Sequence, residues 1–215
     1  FVYALSIADA FIRMGTMKHI LVVGSEVHST GLETTDRGRD VTVLFGDGAG
    51  VAVVSATDGD SRILDTDLHA DGSQAAILRT YAPASCHSPR LSEEMMEEGL
   101  HYPQMKGKAV FKNAVEFLPK TIHTVLQRNG YSLDDMDLLV PHQANRRINE
   151  MVGRMMKLPE EKVIHNIEFY GNTTAASIPM ALCKAQAQGE LESGKLVVLA
   201  AFGAGLTWGA NLIRW

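Results

Sequence analysis

The chain is poor in cysteine. Its 215 residues include two, Cys86 and Cys183, with no C-x-x-C pair. That excludes a disulfide framework and a thiolate zinc cluster, and it fits a cytoplasmic location. The histidines lack ligand spacing such as H-E-x-x-H, so no metal site is expected. No apolar run approaches the length of a membrane span and no signal segment is visible, so no membrane partner is expected. Basic residues are outnumbered: 20 Lys and Arg stand against 25 Asp and Glu, a net charge of −5. This argues against a nucleic-acid surface, while a local basic patch stays possible. A helix start is missing too. "FVYALSIADAFIRMG" has no initiator Met and no cap residue ahead of its apolar repeat of Phe1, Leu5, Ala8 and Ile12. The expectation is that the chain is the C-terminal part of a longer protein.

What is present is an ordinary globular composition, 46% hydrophobic and 21% charged, with apolar material for a sizeable core. "KHILVVGSEV" reads as a strand. "DVTVLFGDGAGVAVVSA" reads as strand, glycine turn, strand, and "ILDTDLHADG" as one more strand. Residues 81–105, rich in Pro, Ser and Glu, read as a long surface loop with one short helix. From Gly107 the residues Phe111, Ala114, Leu118, Ile122 and Val125 give one apolar face of a long helix, with a kink expected at Pro119 and an end at Gly130. "DLLV" is a short buried strand. "NRRINEMVGRMMKL" is an amphipathic helix with Ile148, Met151, Val152 and Met155 inward. "KVIHNI" is a further strand. "TAASIPMALCKAQAQG" is a helix in which Cys183 packs beside Leu182, and its small residues allow close backbone approach. "KLVVLAAFGAGLTWGANLIRW" closes as strand, glycine turn, strand. It echoes "LVVGSEV" with "FGDGAGVAVV", which suggests two similar halves. Alternating helices and near-continuous apolar strands imply an α/β layered fold.

Three strand ends carry chemistry. His142 follows the strand in "VPHQAN". Asn172 follows "KVIHNI" in "YGNTTAAS". "FGAG", Phe202 to Gly205, follows "KLVVLAA". Such junctions are where α/β proteins place ligand groups. An imidazole and a carboxamide together can donate to one developing oxyanion, and backbone N–H groups of the turn can form a second hole. Taken singly, each has a plainer reading: His142 as a structural histidine, Asn172 as a helix N-cap. "GDGAG" has the wrong glycine spacing for a dinucleotide fingerprint.

"VPHQAN", "GNTTAAS" and "FGAGLTWGANLI", in this order, resemble β-ketoacyl-acyl-carrier-protein synthase III. "SEVHS", "DRG", "FGDGAGVAVV" and "GKAVFKNAV" fit the same family. The resemblance covers essentially the whole chain and is weakest in the irregular loop. It implies a thiolase-like α-β-α-β-α fold with the first half incomplete: residues 1–80 as the remainder of that half, 81–106 as the connecting loop, and 107–215 as a complete second half. It implies an acyltransferase that condenses an acyl-CoA starter with malonyl-acyl-carrier protein to initiate fatty acid synthesis, with no cofactor beyond its CoA thioester substrates. His142 and Asn172 carry over as two members of a Cys–His–Asn triad. Phe1 matches the Phe of the family's "C-x-G-F" stretch, so the nucleophile is expected three residues ahead of Phe1. The backbone N–H of Ala204 carries over to the second oxyanion hole, where many relatives have Gly. Arg37 is expected near the adenine end of CoA. Phe111, Ala144 and Asn145 are expected along the pantetheine channel, and Lys112, Arg147 and Arg154 against the carrier protein. Relatives are homodimers, and the strand of "HILVVG" is expected to pair across the two-fold axis. Two alternatives remain at this level. One is a related thiolase-fold acyltransferase making polyketide, quinolone or long-chain products. The other is a non-catalytic homologue that binds carrier protein.

Overall fold

A computed structural model describes residues 1–215. Helix α1 (Val2–Arg13) leads into strand β1 (His19–Glu26). Then follow α2 (Arg39–Thr42), β2 (Gly48–Ser55), β3 (Arg62–Ala70), β4 (Leu78–Thr80), α3 (Glu93–Glu97), β5 (Pro103–Met105) and α4 (Gly107–Arg128). The remainder is β6 (Leu138–Pro141), α5 (Arg146–Met155), α6 (Ile167–Tyr170), α7 (Ser177–Ala187), β7 (Leu196–Gly203) and β8 (Thr207–Arg214).

The main sheet has the order β3-β8-β7-β6, with β6 parallel to β7 and the other pairs antiparallel. Strand side chains alternate between faces, so a strand covered on both sides reads as continuous apolar sequence. β7 is such a strand. Leu196, Val198, Ala200 and Phe202 join one core with Leu118, Ile122 and Val125 of α4 and Val152 of α5. Val197 and Leu199 join a second core with Val2, Leu5 and Ala8 of α1 and Ile178, Ala181 and Ala185 of α7. Helices α1 and α7 thus lie between the main sheet and the antiparallel pair β1–β2, which packs on the other side of them. The 215 residues build four layers in the order expected of a thiolase-like chain: outer helices, sheet, central helices, sheet. On the far face of β1–β2, Leu21, Val23, Val51 and Val53 are exposed. The echo between the two glycine-turn units is geometric as well, since β1 pairs with β2 as β7 pairs with β8. β3, although it precedes residue 80, hydrogen-bonds to β8 in the main sheet.

The central layer needs small residues. A Cβ on Gly24 of β1 would stand 2.3 Å from the carbonyl oxygen of Ala175. Real Cβ contacts are not that short, so glycine is what lets β1 reach the Asn172 loop.

Several local expectations are corrected. The β-branched run at 41–43 is not a strand. It closes as the single turn α2, with Val41 and Thr42 N–H both bonded to the Gly38 carbonyl. "KVIHNI" is not a strand either, and only Val163 bridges to Leu139. Past that point the Gln143 side chain replaces the ladder. Its Nε2 donates to the Ile164 carbonyl and its Oε1 accepts from Asn166 N–H. On α5, Met155 is exposed and Met156 is buried, because Ile148, Val152 and Met156 follow the four-residue spacing. Cys183 is exposed, not packed. Ala181, Leu182 and Ala185 take the buried face of α7. Helix α4 continues through Pro119 as far as Arg128. The 81–105 region contains the expected short helix, α3, capped by Ser92. It also holds β5, which pairs with β4 and was not visible in the sequence.

Candidate active site

β6 delivers His142. Its register with β7 pairs Pro141 with Ala200, and the His142 N–H extends that ladder by bonding the Ala200 carbonyl at 2.7 Å. The backbone then turns sharply. Asn145 becomes the N-cap of α5, its side chain accepting from Arg147 N–H at 2.9 Å. Gln143 between them is fully buried, and its amide is bonded to Pro141, Ile164 and Asn166. The apolar strand followed by a polar cluster is therefore a mounting for the imidazole.

Asn172 is held from the opposite side. Its backbone N–H bonds the Leu44 carbonyl and its carbonyl accepts from Gly46 N–H. Its side-chain Oδ1 accepts from Thr174 N–H at 2.9 Å. Asn172 is therefore not the N-cap, a position taken by Thr173; its amide closes a local turn on Thr174 and uses only the oxygen to do so. The Nδ2 has no partner in the protein. Thr174 adopts a φ of +44°, rare for a β-branched residue. Its hydroxyl is bonded to Glu26 at 2.8 Å. The third element is the turn after β7. It is fastened by reciprocal backbone bonds between Asp71 and Leu206, 2.8 Å each, and by the buried Leu206 side chain.

His142, Asn172 and Ala204 line one cavity of about 1190 Å³. Phe111, Ala144 and Asn145 line it as well, and so do Arg147 and Arg154, which were expected against the carrier protein. Arg37 and Lys112 do not. Arg37 is tied to Glu33 at 2.7 Å and to the Glu97 carbonyl at 2.8 Å. Lys112 is exposed on α4, one turn beyond Lys108, which does line the cavity. Sequence reasoning missed Lys108 and Arg79. Lys108 sits within "GKAVFKNAV" at four-residue spacing from Lys112, a signal that was available. Arg79 lies on β4, with its guanidinium 4.6 Å over the Tyr81 ring, and nothing local marks it. Lys108, Arg147 and Arg154 form no ion pair. Arg146, by contrast, is paired with Glu150 at 2.9 Å. Lys108 and Arg147 also occupy first turns of helices, where the dipole disfavours cations. Unpaired charge held at a local cost suits an anionic ligand.

Burial lowers the His142 pKa to about 4. The imidazole is therefore neutral near pH 7 and carries one N–H. Because this value lies below the ordinary 6.5, the unfolded chain protonates first as pH falls. The stability this group contributes is full above about 6.5 and declines from there to about 4. An NMR titration is expected to show the His142 ring unmoved from about pH 8 to about pH 5. A midpoint near 6.5 would contradict the burial argument.

Comparisons with known proteins bear on the family and the fold. Residues 1–72 match the family model of 3-oxoacyl-[acyl-carrier-protein (ACP)] synthase III, and residues 126–215 match the model of its C-terminal region. The β-ketoacyl-[acyl-carrier-protein] synthase III of Rhodospirillum centenum is 44% identical over 219 residues, covering 100% of this chain and 64% of that protein. The enzyme of the same name from Sulfurovum is 42% identical, covering 99% of this chain and 62% of that protein. The crystal structure of 3-oxoacyl-(acyl carrier protein) synthase III from Pseudomonas aeruginosa superposes with a TM-score of 0.89 at 42% identity, covering 100% of this chain and 64% of that one. The chain thus spans just under two thirds of the length of these relatives. No helix is long and apolar enough to cross a membrane. With both family models matched in order and the fold shared from end to end, the chain belongs to the 3-oxoacyl-[acyl-carrier-protein] synthase III family.

Proposed function

We propose that this chain supplies the oxyanion-binding part of a decarboxylative Claisen condensation between an acyl-CoA starter and malonyl-acyl-carrier protein, the first condensation of fatty acid synthesis. The observation that carries it is the pair of uncommitted donors in one cavity. Asn172 Nδ2 is free because its Oδ1 is engaged, and neutral His142 faces the same space. In the proposed sequence a cysteine thiolate attacks the acyl-CoA carbonyl and CoA thiolate leaves. Malonyl thioester then loses CO₂, and the electron pair of the broken C–C bond moves onto the thioester oxygen as an enolate. His142 and Asn172 donate to that oxygen. The enolate carbon attacks the acyl-cysteine, the Ala204 N–H holds the new oxyanion, and the cysteine thiolate leaves. The reaction as written requires thioester substrates and no other small molecule.

Neither cysteine of the chain fits the nucleophile. Cys86 and Cys183 are exposed, and neither lines the cavity. The N-terminal end of α1 does, through Phe1, Val2 and Tyr3. A cysteine just ahead of Phe1 in the natural protein would sit at that helix end, where the dipole stabilises a thiolate. The test is the intact mass of the natural, full-length protein before and after acetyl-CoA. Acetyl added to a cysteine ahead of Phe1 supports the reading, and no uptake of any acyl group removes it.

Arg147 and Arg154, with Lys112 nearby, are proposed to meet the acidic carrier protein, and Arg37, although engaged with Glu33, to lie near the CoA adenine. Arg147→Glu is expected to weaken use of malonyl-acyl-carrier protein by roughly 10-fold or more, with free malonyl-CoA less affected, because reversing an interface charge acts mainly on the charged partner. Equal losses with both donors would refute docking at this position. A homodimer in which β1, the strand of "HILVVG", pairs across the two-fold axis is proposed and is checked by the solution mass of the full-length protein. Two free, exposed thiols fit the reducing cytoplasm.

A further inference from the structure

A neutral imidazole has a single N–H, and its position decides whether His142 can donate to anything in the cavity. If the proton is on Nδ1, Nε2 offers a lone pair to the enolate and repels it. Decarboxylation chemistry at this site, as proposed above, therefore depends on a tautomer choice that His142 does not make by itself.

The structure places Ser177 against this ring. Ser177 is the first residue of α7, has 0% exposure, and lies 35 residues from His142 in sequence. Its Oγ is 2.6 Å from His142 Nδ1. The same oxygen accepts from the Gln143 backbone N–H at 3.3 Å. Those are its only two side-chain hydrogen bonds. A buried hydroxyl must place its own proton on an acceptor, and the acceptor here is His142 Nδ1. Were Nδ1 protonated, the Ser177 hydroxyl would receive two N–H groups and have no acceptor for its own proton. An unmade buried bond of this kind shifts a population by about tenfold or more.

We infer that Ser177 is a positioning residue for the condensation: its hydroxyl donates to His142 Nδ1, fixes the Nε2–H tautomer, and so directs the single imidazole N–H into the cavity. Ser177 touches no substrate and acts only through the ring. Gln143 contributes by occupying a lone pair of the Ser177 oxygen. Its own side chain is fixed by three further bonds, so the orientation is inherited from the strand end itself. This rests on the oxyanion reading above for its purpose. The tautomer itself can be read without turnover.

The test uses the full-length protein labelled with ¹⁵N on histidine. The two neutral tautomers give different pairs of ring nitrogen shifts. In the wild type at neutral pH, His142 is expected to show Nε2 protonated and Nδ1 bare. In Ser177→Ala the Nδ1–H form should rise by about tenfold relative to the wild type. Malonyl decarboxylation should fall by a similar factor, while acylation from acyl-CoA keeps its rate. A wild-type spectrum with Nδ1 protonated would overturn the assignment without any variant, so a misfolded Ser177→Ala does not shelter it. A folded Ser177→Ala in which the Nδ1–H form does not rise would overturn it as well. If the tautomer shifts as expected but the wild-type protein decarboxylates no malonyl thioester, the assignment of Ser177 stands and the proposed function falls.

Discussion

Replacing His142 by alanine in the full-length protein is expected to slow malonyl decarboxylation by roughly 100- to 1000-fold, the usual cost of removing one oxyanion donor. Acylation of the nucleophile should stay near its normal rate, because its tetrahedral intermediate is also carried on the cysteine sulfur, where the Ala204 N–H, and not His142, is proposed to hold the oxyanion of the condensation step. The split separates a donor from a general base: a base that activates the thiol would be missed in acylation first. Single-turnover acylation with acetyl-CoA, run beside ¹⁴CO₂ release from labelled malonyl thioester, measures both. Two normal rates would remove His142 from the mechanism. Two equally depressed rates would move its role to the thiol. Ala204 lies on a separate turn from His142, one strand away, so the two effects have a structural reason to be separable.

Gln143→Leu should be the more damaging change for the fold. The side chain has 0% exposure and is bonded to the Pro141 carbonyl at 2.8 Å, the Ile164 carbonyl at 3.1 Å and the Asn166 N–H at 3.0 Å. Leucine fills a similar volume and leaves all three backbone groups buried without partners. At about 1–3 kcal/mol for each, the loss is at least roughly 3 kcal/mol. Urea denaturation of wild type and variant at pH 7 measures it. A loss under about 1 kcal/mol would mean that the 163–166 segment pairs with β6 without the glutamine, against the geometry above. Activity should fall further than stability alone predicts, since His142 is adjacent and Ser177 is bonded to the Gln143 N–H.

These two residues show how much was legible in "VPHQAN". The chemistry of His142 could be read because an imidazole after an apolar strand is an unusual combination, and because Asn172 and the "FGAG" turn occupied the same kind of position. Gln143 was equally visible, but its role was not, since its partners come from residues up to 23 positions away. The failure of "KVIHNI" as a strand has the same origin. Its β-branched residues carry the right propensity, yet the neighbouring edge of β6 is closed by a side chain. The cavity's cations divide in the same way. Arg147 and Arg154 were named through the family resemblance, whereas Arg79 lies on β4, which pairs with β5, and was not named.

The sequence by itself determined most of the alternation of strands and helices, the buried faces of α4 and β7, and the identity of the two side-chain donors. Each of these is written in local periodicity or in residue type, which survive without a fold. Only the tertiary structure decided which donor atoms stay free, which cations face the cavity, and which hydroxyl holds the imidazole. Those are properties of pairs separated by tens of residues, and a hydrogen bond between such residues leaves no periodic trace in the chain that makes it.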